Sequence, residues 1–144
     1  MEASKILIEK IKEFEGLRLA PYRCAAGVWT IGYGHTSNVT GKTPSITKEQ
    51  AEKCLRADLK QYEAFVDKLG VTCKQCKFDA LVDFAFNLGV ETLRRSTLLK
   101  KIRACAPDKD VRAEFMKWTN AKGKKLDGLV KRRQWEADRY FGLV

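Results

Sequence analysis

The sequence has no long apolar run, and this excludes a membrane-spanning helix. Its longest mostly apolar stretch, Leu81 to Val90, is interrupted by Asp83 and Asn87 and is far shorter than the roughly 20 apolar residues that a span requires. The apolar segment 6–8 near the N-terminus is too brief for a secretory signal peptide. We therefore expect a protein with no signal peptide and no membrane span, made in the cytoplasm.

Metal-binding residues are also scarce. His35 is the only histidine, and Cys73 and Cys76 form the only CxxC pair, whereas structural zinc sites take four ligands. The five cysteines are an odd number, unlike the even counts of disulfide frameworks. We expect no metal and no cofactor, with most cysteines reduced and buried. The alternative for Cys73 and Cys76 is a local or redox disulfide.

Acidic residues are too few to balance the basic ones. The chain has 28 Lys and Arg against 18 Asp and Glu, a formal net charge of +10, which favours polyanionic partners such as nucleic acid, acidic lipid headgroups or bacterial wall polymers. No recognisable nucleic-acid motif accompanies the charge, so we do not expect a nucleic-acid partner. Six basic residues lie close together near the C-terminus, and we call them the C-terminal basic group: Lys122, Lys124, Lys125, Lys131, Arg132 and Arg133. We expect most of them to lie on a solvated helix face.

Apolar residues recur mostly at helical spacing, and this predicts an α+β fold within a single domain, residues 1–144. Short runs of Tyr, Val, Trp, Thr and Ile between Leu17 and Thr36, separated by glycines, predict two or three short strands, and we expect no other sheet. Thr47-Lys48-Glu49-Gln50 has the form of a capping box. The predicted parts are a helix over 1–16, a β-containing lobe over about 17–45, a connecting helix over about 47–69 and a helical lobe over about 74–144. Within the helical lobe, the central helix is expected to run to Gly89. Further helices are expected at about 96–105, after 107–108 and at about 126–141.

The segment that contains the predicted strands also carries reactive side chains at fixed spacing. Eight residues separate Glu15 from Cys24, and five separate Cys24 from Thr30. This spacing, together with the motifs around it, resembles the active-site segment of the phage-type lysozymes, or endolysins, of glycoside hydrolase family 24. The motifs of the resemblance are 14–19, Tyr22, 29–36, 46–52, 78–81, 87–89, 96–99, Trp118, Asn120 and 128–133.

The resemblance implies a lysozyme-like fold, with a small N-terminal lobe containing a short β-sheet, a mainly helical C-terminal lobe and an active-site cleft between them. It implies hydrolysis of the β-1,4 bond between N-acetylmuramic acid and N-acetylglucosamine in peptidoglycan. Glu15 would be the general acid, because the leaving sugar oxygen must receive a proton. Cys24 and Thr30 would assist water.

Cys24 stands where most glycosidases have a second carboxylate. A thiol with a pKa near 8.5 is mostly protonated at pH 7, so we expect neighbouring Arg23 or Arg18 to lower the pKa of Cys24. Activation of water with Thr30 is the favoured role, and covalent attack by the sulfur is the alternative.

The resemblance also implies further contacts. Thr36, Phe86, Asn87 and Ser96 match positions that line the substrate site, where an aromatic ring or an amide can hold sugar acetamido groups. Asp58 falls where an ion-pair partner of His35 would lie, which indicates a structural histidine.

The implied partner is bacterial peptidoglycan, which an endolysin of this kind reaches from the host cytoplasm with the help of a holin, without a direct complex. We expect a monomer that is released to the periplasm or cell wall. Two other classes compete with the enzyme: a catalytically silent wall-binding module and a basic nucleic-acid-binding protein.

Overall fold

The structure, a computed structural model, describes residues Met1 to Val144. It contains two small antiparallel sheets among helices, and this confirms the predicted α+β class. The elements are α1 Lys5–Glu15, β1 Arg18–Arg23, β2 Trp29–Gly32, α2 Lys48–Leu69, α3 Gln75–Leu88, α4 Val90–Arg95, α5 Thr97–Arg103, α6 Asp108–Phe115, β3 Asn120–Ala121, β4 Lys124–Lys125 and α7 Asp127–Tyr140. The chain divides into two compact units, which we call the N-terminal unit (residues 8–60) and the helical unit (residues 1–7 and 61–144).

Two amphipathic helices supply the core of the N-terminal unit. Ile8 and Ile11 of α1 are buried, and so are Ala51, Leu55 and Leu59, which follow one another at four-residue intervals along α2. That interval places the three side chains on one helix face. The unit therefore joins the apolar face of α1, which the sequence periodicity predicts, to a buried face of α2.

Hydrogen bonds from side chains decide where both of these helices begin. The Thr47 hydroxyl accepts from the Gln50 amide at 3.1 Å, and the Gln50 side chain accepts from the Thr47 amide at 2.8 Å, so the predicted capping box is confirmed. Helix α1 begins at Lys5 and not at residue 1. The Ser4 hydroxyl accepts from the Leu7 amide at 3.2 Å, and this bond caps the helix at that point.

Helix α3 forms the centre of the helical unit, as its apolar spacing predicts. All residues from Phe78 to Ala85 are buried, and α3 packs against α7. The Phe84 ring meets the rings of Phe115 and Trp118 edge to face, with centroids 6.0 Å and 5.8 Å away, an arrangement that aromatic quadrupoles favour.

Two elements of the helical unit differ from the sequence expectation. The prediction of a single sheet is wrong, because β3 and β4 form a second hairpin. Lys122 and Gly123 both have positive φ, 51° and 77°, as a tight two-residue turn requires. Helix α4 was not predicted, since it has six residues and is too short to show a helical period.

Candidate active site

A hairpin in the N-terminal unit positions Cys24 at the entrance of a tight turn. The Cys24 amide donates to the Val28 carbonyl at 3.0 Å, and the Gly27 amide donates to the Cys24 carbonyl at 2.8 Å. Gly27 has a φ of 78°, which a glycine adopts without strain. This is a three-residue loop that ends in a left-handed residue, and it joins β1 to β2.

The hairpin register brings Cys24 and Thr30 to the same face. Tyr22 pairs with Thr30 across the strands, and side chains two residues apart on a strand point to the same side. Cys24 is therefore the diagonal neighbour of Thr30. Two of the three expected catalytic residues therefore lie on the same face of the hairpin.

The Thr30 hydroxyl already has an acceptor for its single proton. Thr30 is buried, at 3% exposed, and its hydroxyl donates to the Val28 carbonyl at 2.9 Å. In that state its lone pairs can accept from a water molecule.

Backbone amides, and not arginines, tune the Cys24 thiol. Hydrogen bonds from the backbone of Val28 and Ala26 lower the pKa of Cys24, and the Thr30 hydroxyl adds to the effect. The prediction that Arg23 or Arg18 lowers this pKa is wrong.

Both guanidinium groups are engaged with aromatic rings of the hairpin. The guanidinium of Arg18 lies 4.4 Å from the centroid of the Tyr22 ring, and that of Arg23 lies 5.1 Å from the centroid of the Trp29 ring. These are cation–π distances, and they account for the position of each guanidinium group.

Glu15, the last residue of α1, lies against the turn that follows β2. A Cβ atom on Gly34 would come within 2.9 Å of the Glu15 Oε1 atom, so only the absence of a side chain leaves room for the carboxyl group. Two backbone hydrogen bonds of 2.9 Å each join Ile31 and His35 and close this turn. Thr30 directly precedes this turn. Thr30 and the turn that contacts Glu15 therefore belong to one short segment of the chain.

His35 and Thr36 continue the same segment. The expected contact between His35 and Asp58 is confirmed, with 2.8 Å between Nδ1 and Oδ2. This pair ties the turn to α2, which agrees with a structural role for the histidine. Thr36 follows it and is exposed.

The remaining expected contact residues belong to the helical unit. Phe86 packs edge to face on the Tyr62 ring, with centroids 5.4 Å apart, and the Asn87 side chain accepts a hydrogen bond from Arg133. The Ser96 hydroxyl donates to the Leu93 carbonyl at 2.7 Å and accepts from the Leu99 amide at 3.0 Å. Ser96 is therefore the N-cap of α5, and any ligand contact would have to use the remaining lone pair of its hydroxyl.

Comparisons with known proteins agree with this arrangement. The family model described as Phage lysozyme matches residues 12–136. An endolysin from Acyrthosiphon pisum secondary endosymbiont phage 1 is 47% identical over 132 residues, which are 88% of this chain and 88% of that protein. The chain belongs to the phage lysozyme family.

Solved structures extend the similarity over nearly the whole chain. The muramidase domain of SpmX from Asticaccaulis excentricus superposes with a TM-score of 0.86 at 33% identity, over 96% of this chain and 97% of that one. The endolysin from Escherichia coli O157:H7 phage FAHEc1 gives a TM-score of 0.85 at 38% identity, over 100% and 96%. The chain is thus a lysozyme, a glycoside hydrolase.

This phage lysozyme contains a buried charged cluster that the sequence reasoning missed. Arg132 and Arg133 were expected on a solvated face, but they are 5% and 0% exposed. Arg132 makes two hydrogen bonds to the Asp83 carboxylate, at 3.0 Å and 2.8 Å, and Arg133 lies 3.1 Å from the Glu136 carboxyl group. The aspartates within the apolar pattern of α3 were the available signal, because a buried charge requires a partner.

The two acids of this cluster have pKa values shifted in opposite directions. Burial raises the pKa of Glu136 well above its ordinary value, and the nearby charge of Asp83 adds to the effect. Burial also opposes ionisation of Asp83, but the attraction of Arg132 and its hydrogen bonds to the carboxylate outweigh it and lower the pKa of Asp83. The other basic residues of the C-terminal group, Lys122, Lys124, Lys125 and Lys131, are exposed as expected.

None of the helices of this lysozyme combines the length and the apolar character that crossing a membrane requires.

Proposed function

We propose that this lysozyme hydrolyses the β-1,4 bond between N-acetylmuramic acid and N-acetylglucosamine in bacterial peptidoglycan, with Glu15 as general acid and Cys24 and Thr30 assisting water. The observation that carries the proposal is the hairpin register, which puts Thr30 and Cys24 on one face, next to the turn against which Glu15 lies. Relatives described as endolysins and as a muramidase domain support the choice of substrate.

Glu15 would supply the proton that the leaving group requires. Cleavage of a glycosidic bond passes through an oxocarbenium-like state, and the departing oxygen must be protonated as the bond breaks. Gly34 leaves space for the carboxyl group and restricts where it can lie. The acid would thus be positioned before the substrate arrives.

Cys24 and Thr30 would handle the attacking water. Water activation needs a group that accepts a proton, and the hydrogen bonds that lower the pKa of Cys24 increase its thiolate fraction at neutral pH. The Thr30 hydroxyl can accept from the water while it donates to Val28. A water attacking the face opposite the leaving group would invert the anomeric configuration. Covalent attack by Cys24 is the alternative, and it would retain that configuration.

Glycan contacts are proposed for four further residues. They would hold the sugars through a hydroxyl group, an aromatic ring or an amide, and they are Thr36, Phe86, Asn87 and Ser96.

The decisive experiment compares two substitutions in the last turn of α1. Glu15→Gln should reduce the release of reducing ends from purified sacculi by about 10²- to 10⁴-fold, the usual contribution of a general acid. Glu13→Gln is the matched control, because Glu13 is exposed and its only ion pair is to Lys10 at 3.3 Å. A Glu15→Gln variant as active as the control would refute the assignment, and a wild-type protein that binds sacculi without releasing reducing ends would be a silent wall-binding module.

Substitutions of Cys24 separate its possible roles. Cys24→Asp should keep activity if the side chain activates water, because a carboxylate is ionised at pH 7 and can accept a proton, whereas Cys24→Ala should lose about a hundredfold or more. The anomer produced, observed by NMR at early times, distinguishes inversion from the covalent route. Full activity after alkylation of Cys24 would show that the sulfur takes no part.

The route to the wall follows from the same assignment. The enzyme would accumulate in the host cytoplasm and reach peptidoglycan after a holin opens the membrane, acting as a monomer. Expression alone should then leave cells intact, and addition of a membrane-permeabilising agent should lyse them. Lysis without that agent would contradict the need for a holin, and light scattering would measure the oligomeric state.

A further inference from the structure

Arg133 determines which way the side-chain amide of Asn87 is oriented. Its Oδ1 atom accepts a hydrogen bond from the Nη2 group of Arg133. A guanidinium group carries only donors, so the oxygen of the amide, and not its nitrogen, must face it. The two N–H groups of Asn87 therefore point away from Arg133.

Arg133 is itself rigidly placed. Its side chain is 0% exposed, with Nε 3.1 Å from the Glu136 carboxyl group and the guanidinium carbon 5.3 Å from the centroid of the Phe84 ring. The contact of Nε with Glu136 lacks the geometry of a hydrogen bond, and Nη1 has no acceptor either. The bond to Asn87 is therefore the one side-chain hydrogen bond of this guanidinium. A buried cation in such surroundings is costly to move, and Asn87 is oriented by a fixed group.

Asn87 is only partly buried, so the amide nitrogen can meet a ligand. A site that offers a hydrogen-bond donor favours a ligand group that accepts one and disfavours a group that can only donate. Among the substituents of a wall glycan, the acetamido carbonyl is an acceptor, while the ammonium group left by deacetylation carries only donors.

We propose that Arg133 is a positioning residue that makes Asn87 a hydrogen-bond donor, and that this donor selects N-acetylated over N-deacetylated hexosamines. The inference rests on the proposed function, because it assumes that Asn87 contacts the glycan. It goes beyond that function by assigning the polarity of the contact and the residue that determines it.

Asn87→Asp is the test, because it changes the polarity and keeps the partner of Arg133. An aspartate still offers oxygen to the guanidinium, so the melting temperature should be unchanged or higher, but it removes both N–H donors. Binding is measured by calorimetry in a Glu15→Gln background, with N-acetylglucosamine oligomers and with the same oligomers after deacetylation. The ratio of the two dissociation constants should shift by about tenfold or more toward the deacetylated ligand, as expected for the loss of one hydrogen bond.

Asn120→Asp is the matched control, since it is the same chemical change at an exposed position of the helical unit. It should leave the ratio of dissociation constants unchanged. A ratio in Asn87→Asp equal to that of the control would overturn the proposal, as would an equal weakening of both ligands. Because binding is measured without turnover, a failure of the catalytic assignment would appear separately, as absence of reducing ends from the wild-type enzyme.

Arg133→Lys tests the positioning role. The lysine keeps the charge but loses the planar guanidinium group that reaches Asn87, so KM for acetylated substrate should rise by about tenfold with little change in kcat. A purely structural arginine would instead lower the melting temperature and the amount of active enzyme without changing KM. If Arg133→Lys does not fold, the result with Asn87→Asp decides the proposal.

Discussion

Substitution of Gly34 by alanine should displace the Glu15 carboxyl group and reduce activity, with only a modest effect on the stability of the fold. The new Cβ atom would lie 2.9 Å from Oε1, 3.6 Å from Cδ and 3.9 Å from Cγ of Glu15. Comfortable contacts between such atoms begin at about 3.5 Å, so the carboxyl group must move by roughly 0.5 Å or more. The end of a glutamate side chain can rotate away, so the contact itself should hardly affect the free energy of unfolding.

Two different magnitudes follow from this geometry. Gly34 has a φ of 83°, so an alanine there should destabilise the protein by about 1–2 kcal/mol through backbone strain, a fall of about 2–8 °C in Tm. Activity should fall by about ten- to a hundredfold, because misplacement of a catalytic group by about 1 Å can reduce the rate by 10². The loss of activity should thus exceed what the modest loss of stability explains.

Gly123→Ala is the matched control for the strain. Gly123 has a φ of 77°, nearly that of Gly34, and a Cβ atom there would meet nothing within 4 Å. Circular dichroism gives the Tm of both variants, and release of reducing ends from peptidoglycan gives their activities. If Gly34→Ala retains activity within twofold of the control, the carboxyl position described here is not the one that catalysis uses.

Three further outcomes are expected from single sites. Ser96→Ala removes the acceptor of the buried Leu99 amide and should lower the free energy of unfolding by about 2 kcal/mol. Urea denaturation measures this change, and a value below about 0.5 kcal/mol would contradict the capping role. Because burial raises the pKa of Glu136, its contribution to stability is complete below the unfolded value of about 4.3 and is lost as pH rises toward the folded pKa. Glu136→Gln should therefore flatten the decline of stability with rising pH, and parallel curves for the two proteins would refute this. Hydrogen bonds from backbone amides lower the pKa of Cys24, whereas burial raises the pKa of Cys54. Mass spectrometry at pH 7 should therefore find Cys24 alkylated before Cys54, and faster reaction of Cys54 would contradict this.

Much of the fold follows from short-range sequence patterns. The apolar spacing of α1 and α3, the Thr47 capping box and the glycine-rich hairpin are local features, and each is present in the structure close to its predicted place. Helix α4 and the second hairpin escaped prediction, because six residues and a pair of two-residue strands carry too little periodicity to be read.

The sequence by itself supplied the candidates for the acid and the water-activating groups, because its motifs resemble those of the phage lysozymes. Only the tertiary structure decided their surroundings: that amides of the turn, and not Arg18 or Arg23, tune Cys24, that Gly34 borders Glu15, and that Arg133 is buried beside Asn87. The physical reason is that helix and turn preferences act over a few residues. Desolvation and hydrogen-bond partners, by contrast, depend on groups that are distant along the chain and meet only on folding.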